Sequence, residues 1–180
     1  MKKLPECTIE ALQQLRELIV AVQNSGRPAD DTYASSGIGR HVRHVIDHFR
    51  ALAAGIECGV IDYNVRSRNS AIERDPERGL IEIFKLSEWL DTLQTGDAPV
   101  SVISEISCHL TENQEFRSNV NRELLYLINH TIHHVAYAAL LARSCGVECR
   151  EAIGFAPATA SFLRQRPLPT DESPPYTAPN

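Results

Sequence analysis

Ile9, Leu12, Leu15, Ile19 and Val22 recur at intervals of three and four residues, and three later segments repeat that interval. The spacing lays an apolar stripe along one side of a helix, and such a stripe must be buried against another element. It predicts helices over 8–24, 36–55, 76–93 and 121–145. The first stops at Asn24-Ser25-Gly26-Arg27-Pro28, where glycine and proline interrupt the pattern. In the second, Ser36 is the expected N-cap, Ile38, Val42, Val45, Phe49 and Leu52 form the stripe, and Gly55 is the expected stop. Pro76 opens the third in the first-turn position that proline favours. Its stripe is read as Leu80, Ile83, Phe84, Leu90 and Leu93, with Leu86 on the flank, before a turn at Thr95-Gly96-Asp97-Ala98-Pro99. The fourth runs from Asn121 to Cys145 and ends at Gly146. Four such helices make an all-α bundle with two long crossovers, over 56–75 and 100–116. The second crossover alternates loosely and is the place for a minor β-hairpin, and a short helix is expected near 157–165. Residues 1–166 read as a single domain, and 167–180 as a proline-rich, flexible tail.

The chain has 18 Lys and Arg against 23 Asp and Glu, a formal charge of −5, which argues against nucleic acid and anionic membranes as partners. No apolar run approaches the roughly 20 residues that span a bilayer, and no apolar signal core follows Met1-Lys2-Lys3, so a cytoplasmic protein is expected. Five scattered cysteines, without a Cys-x-x-Cys pair, agree with a reducing compartment.

Histidine carries the chemical signal. Six of the seven histidines fall in two clusters: His41, His44 and His48 in the second helical segment, and His130, His133 and His134 in the fourth. Histidine is a mediocre helix former, so propensity does not explain three within two turns, twice. Residues four apart on a helix point within about 40° of each other, so His130 with His134, or His44 with His48, can aim two imidazoles at one ion. Two helices supplying a pair and a facing third ring make a three-nitrogen site, suited to zinc, nickel, copper or iron and leaving coordination positions open. His44 and His134 both lie to the side of their apolar stripes, as residues at the edge of a core do. Other chemistries fail on their own terms. His130-Thr131-Ile132-His133-His134 has Thr131 where a zinc metalloprotease helix needs its glutamate, Ser36-Gly37-Ile38-Gly39 lacks the lysine and spacing of a phosphate loop, and no nucleophile elbow exists.

The segments Ile38-Gly39-Arg40-His41-Val42-Arg43-His44-Val45-Ile46-Asp47-His48-Phe49 and Asn129-His130-Thr131-Ile132-His133-His134 resemble the DinB/YfiT-like family of metal-binding helical bundles. The resemblance covers residues 8–150 and implies a four-helix bundle, a Zn²⁺, Ni²⁺ or Fe²⁺ ion and, frequently, a homodimer. It implies His44, followed by Asp47, as the ligand from the second helix, and His130 and His134 as ligands from the fourth. His41, His48 and His133 are then neighbours of the ion. Many relatives follow the last histidine with Arg-Gly-Gln, whereas this chain has Val135-Ala136-Tyr137.

The family implies no single reaction. Its members include thiol-dependent transferases and isomerases and a domain of sulfoxide-forming iron enzymes. The reading carried forward is a metal-dependent enzyme whose ion activates a water or a low-molecular-weight thiol for small-group transfer on an unidentified small molecule. A metal-dependent hydrolase and a non-catalytic, stress-related dimeric metal-binding module are the alternatives. Asp47, Tyr137 and Glu73 are candidates for proton transfer. Tyr63, Arg66 and Arg68, on the loop leaving the second helix, are candidates for gripping an anionic substrate or cofactor. The competing expectation for the two arginines is a solvated cluster with Asp62 and Glu73.

Overall fold

Three of the four long helices begin at a capping side chain or at a first-turn proline, which has no N–H to leave unpaired. In the computed structural model, which describes residues 3–94 and 96–165, α1 spans Leu4–Asn24 with Pro5 in its first turn. Helix α3 spans Pro76–Thr92, and the Asp75 carboxylate accepts from Glu77 N at 2.9 Å. Helix α4 spans Val120–Ser144, and Asn119 caps it by accepting from Arg122 N at 2.9 Å. Between them lies α2, Ile38–Cys58, preceded by a π-helical turn at Asp30–Ser35. A short α5, Pro157–Gln165, closes the described chain without burying a residue. The protein is therefore predominantly helical. Among the described residues no helix is long and apolar enough to cross a membrane.

The stripes are buried as their spacing requires. Helix α1 packs on α3 and α4, and α2 packs on the same two helices. Leu12, Leu15, Ile19, Val42, Val45, Phe49, Leu52, Leu90, Leu124 and Val135 are all inaccessible to solvent in one shared core. Phe84 departs from its expected place: it is 63% exposed, while Ile83 and Leu86 turn inward. One face of α3 cannot hold 83, 84 and 86 together at about 100° per residue.

The all-α expectation needs correction. Strand β2, Pro99–Glu105, pairs antiparallel with β3, Asn113–Asn119, so the hairpin is present and longer than the alternation suggested. A third strand, β1 (Val60–Asp62), lies parallel to β2 in the order β1-β2-β3. Three residues are too few to show a period of two, so the crossover read as polar loop concealed a strand. Gly55 is misplaced for the same reason. It does not end α2, which runs on to Cys58 and stops at Gly59 in the left-handed region (φ 83°). A Cβ at Gly55 would stand 2.4 Å from Ile61 Cγ1, so this glycine lets β1 lie directly on the helix. Ser36 likewise stands one residue before the cap at Gly37. Thr95 and the tail 167–180 lie outside the described residues.

Candidate metal centre

Packing α2 against α4 brings the two histidine clusters together. His44, His130 and His134 each present a ring nitrogen within 4.8 Å of the others, and all three are half-buried. His44 Nε2 and His130 Nε2, 86 residues apart in sequence, approach to 3.1 Å. Two nitrogens each about 2.0–2.1 Å from one ion stand about 2.8–3.4 Å apart in octahedral or tetrahedral coordination, so the spacing suits a shared ion. The His130 and His134 rings are 4.5 Å apart and nearly perpendicular, the arrangement their four-residue separation allows. The triad can hold a metal ion. The donor set is all-imidazole, since the buried carboxylates Asp47 and Glu123 are bound to other partners.

The rings are held in the form a metal needs. Burial is the main cause lowering all three basicities, with neighbouring imidazoles and Arg66 adding to it. His44 is pushed down to about 2, and His130 and His134 to about 3. Each imidazole is therefore neutral at pH 7, with a lone pair free for coordination.

The remaining histidines have structural tasks that spacing did not reveal. His41 Nδ1 lies 2.9 Å from His134 Nδ1, so one ring donates to the other and the bond fixes the orientation of His134. His48 is almost fully buried, donates from Nδ1 to the His44 carbonyl at 3.0 Å, and stacks between Tyr63 and His130. Burial lowers His48 to about 4. Exposed His133 meets His134 edge to face, at 5.3 Å between ring centres.

The loop after β1 joins the site through α2. Asp47 accepts from Ser67 N at 2.9 Å and from Ser67 Oγ at 2.5 Å, and pairs with Arg43 at 3.4 Å. Arg43 in turn donates from Nε to Glu73 at 2.8 Å. Asp47 and Glu73 thus clamp two loop segments to α2 through a buried arginine. The pinned loop sets Arg66 Nη1 directly against the His44 ring at Nδ1. The cluster of Arg66 and Arg68 with Asp62 and Glu73 does not form: Glu73 takes Arg43, and Asp62 accepts from Asn64 N. Arg68 is exposed and makes no ion pair among the described residues. Tyr63 is buried rather than presented to a ligand, donating to Glu123 at 2.8 Å and stacking on His48. Tyr137 is half-exposed, with its ring 4.9 Å from that of His41.

Two residues escaped the sequence reading. Glu123 is inaccessible to solvent yet sits on the apolar stripe with Leu124 and Leu127, which is the signal that would have marked it. Tyr126, one turn before His130, stacks on that ring at 5.3 Å.

No family model and no solved structure matches the chain. FK506-binding protein 5 of Rhizopus delemar is 26% identical over 109 residues, covering 59% of this chain and 28% of that protein. The chain thus spans well under half the length of this relative, and at that identity no family is shown.

Proposed function

We propose that the chain is a metal-dependent enzyme of the DinB/YfiT-like type, a four-helix bundle in which His44, His130 and His134 hold a divalent zinc, nickel or iron ion for thiol-dependent small-group transfer. The observation that carries this reading is the convergence of three neutral imidazoles, from α2 and α4, on one point without a carboxylate among them. A divalent ion bound there lowers the pKa of a coordinated water to about 7 and keeps a coordinated thiol ionised.

The chain's own residues prepare the site. His41 orients His134 by their shared hydrogen bond, and His48 fixes the ring plane of His130 by stacking on it. Tyr63 and Tyr126 pack beside His48 and His130. Arg66 is a permanently charged donor held beside the ligands by the Asp47–Ser67 clamp, and it suits the anionic end of a small thiol. This last feature favours transfer to a thiol over hydrolysis. Leu125, Tyr137 and Leu140, exposed along α4, are apolar surface that a second copy in a homodimer would cover.

The test is metal analysis of untagged protein, followed by thiol titration of its cobalt-substituted form. About one ion per chain is expected, retained in His133→Ala and absent from His44→Ala/His134→Ala. Small thiols should shift the cobalt absorption, and Arg66→Ala should weaken an anionic thiol more than a neutral one. Stoichiometric metal in the double variant refutes the ligand assignment. Cobalt spectra indifferent to every thiol refute the transferase reading in favour of hydrolysis or a non-catalytic metal-binding module.

A further inference from the structure

A cavity of about 500 Å³ opens between the hairpin and the first turns of α4, on the far side of Tyr126 from the ligand histidines. Its size lies within the range of small-molecule sites. The strand register explains its apolar wall. Val102 on β2 faces Phe116 on β3, both on the sheet face shared with Ser104 and Ser118, and Tyr63 and Tyr126 close the opposite side. Phe116 is 42% exposed there although the core lies close by, so the cavity keeps an aromatic ring available for contact.

The polar wall centres on Glu123 and Arg122. Glu123 is turned inward and satisfied: Ser118 Oγ and Arg122 Nη1 bond one carboxylate oxygen at 2.5 and 2.7 Å, and the Tyr63 hydroxyl bonds the other at 2.8 Å. Its charge is matched by Arg122, while Arg117, between Phe116 and Ser118 on β3, belongs to the other face of the sheet. Arg122 is fixed twice, by Glu123 and by lying 5.5 Å from the Tyr126 ring centre, yet its side chain is 61% exposed. Of the five N–H donors a guanidinium carries, only the one on Glu123 has a protein partner among the described residues. A donor fork already held in position, at the mouth of an aromatic slot, is built to take a carboxylate or a similar planar anion.

We propose that this cavity binds a small planar organic anion, its apolar body between Phe116 and Tyr126 and its charged end on Arg122. The site is independent of the metal reading. Were both correct, the ligand would lie one helical turn from His130, separated from it by the Tyr126 ring.

Calorimetric titration of metal-free protein with 2-naphthoate and with uncharged 2-naphthamide tests this. The carboxylate should bind at least about tenfold more tightly, the value of one charge-assisted hydrogen bond. Arg122→Gln should abolish that preference while keeping affinity for the amide. Because Arg122→Gln leaves Glu123 without its cation, Phe116→Glu on the exposed edge strand is the second variant, and it should repel the carboxylate more than the amide. Equal affinity for the two probes, no binding at millimolar concentration, or carboxylate binding unchanged in Phe116→Glu would overturn the proposal. His44→Ala/His134→Ala should bind 2-naphthoate as the parent does. Loss of binding in that variant would move the anion to the histidine cluster and overturn the cavity assignment, whereas a protein that binds 2-naphthoate but no metal refutes only the metalloenzyme reading.

Discussion

Replacing Asp47 with alanine removes the acceptor that joins α2 to the loop bearing Arg66. Asp47 is 5% exposed and takes both donors of Ser67, at 2.9 and 2.5 Å. Each bond to a charged acceptor contributes about 1.5–3 kcal/mol. Arg43 keeps Glu73 at 2.8 Å, so no buried cation is stranded and the larger cost of breaking a buried pair does not apply. Ser67 is only half-buried, and water recovers part of the loss. The net destabilisation is about 3 kcal/mol, which for a domain of this size lowers the melting temperature by about 6–12 °C. Asp47→Asn keeps one acceptor for Ser67 N but loses the charge, and should cost about half as much. Thermal unfolding followed by circular dichroism measures both variants, and hydrogen exchange at the Ser67 amide reports whether the loop has come free. A melting temperature within 2 °C of the parent, or Ser67 still protected from exchange, would show that Asp47 does not hold this loop.

His41→Phe fills the same space but cannot bond His134, and metal affinity should fall about 10–100-fold by competition with a chelator; unchanged affinity would remove His41 from the site. Acid should destabilise the metal-free protein early. The folded pKa values of His44 (about 2), His130 and His134 (about 3) and His48 (about 4) lie below the unfolded value near 6.5. The unfolded chain therefore binds more protons below pH 6.5, so stability is complete above that value and falls as the pH drops toward 4 and below. Urea midpoints at pH 7.5, 6 and 5 should decline in that order, and a constant midpoint would contradict the burial of these rings. Gly55→Ala places a Cβ 2.4 Å from Ile61 Cγ1 and 2.8 Å from Ile61 Cα, and should cost about 1–3 kcal/mol in urea unfolding despite alanine's better helix propensity; a stabilised variant would mean β1 does not rest on α2.

The four helices and their buried stripes were legible because helical periodicity is local: Leu12, Leu15 and Ile19, or Val42, Val45 and Phe49, announce the side they bury within two turns. The histidine clusters were legible for the same reason, since a four-residue interval fixes where His130 and His134 point whatever lies opposite. What lies opposite has no local signature. That His44 meets His130, that His41 bonds His134, and that His48 is shut between Tyr63 and His130 depends on how deeply α2 and α4 approach and how they are rotated, which the whole core decides. The same holds for Asp47 gripping Ser67, Glu123 taken inward by Tyr63, Ser118 and Arg122, and β1 seated on Gly55. Sequence therefore determined which side chains face a common side of each helix, through a repeat of 3.6 residues. Tertiary packing alone decided which of them touch, because contact between distant segments follows from the close-packed fit of one core and not from any interval along the chain.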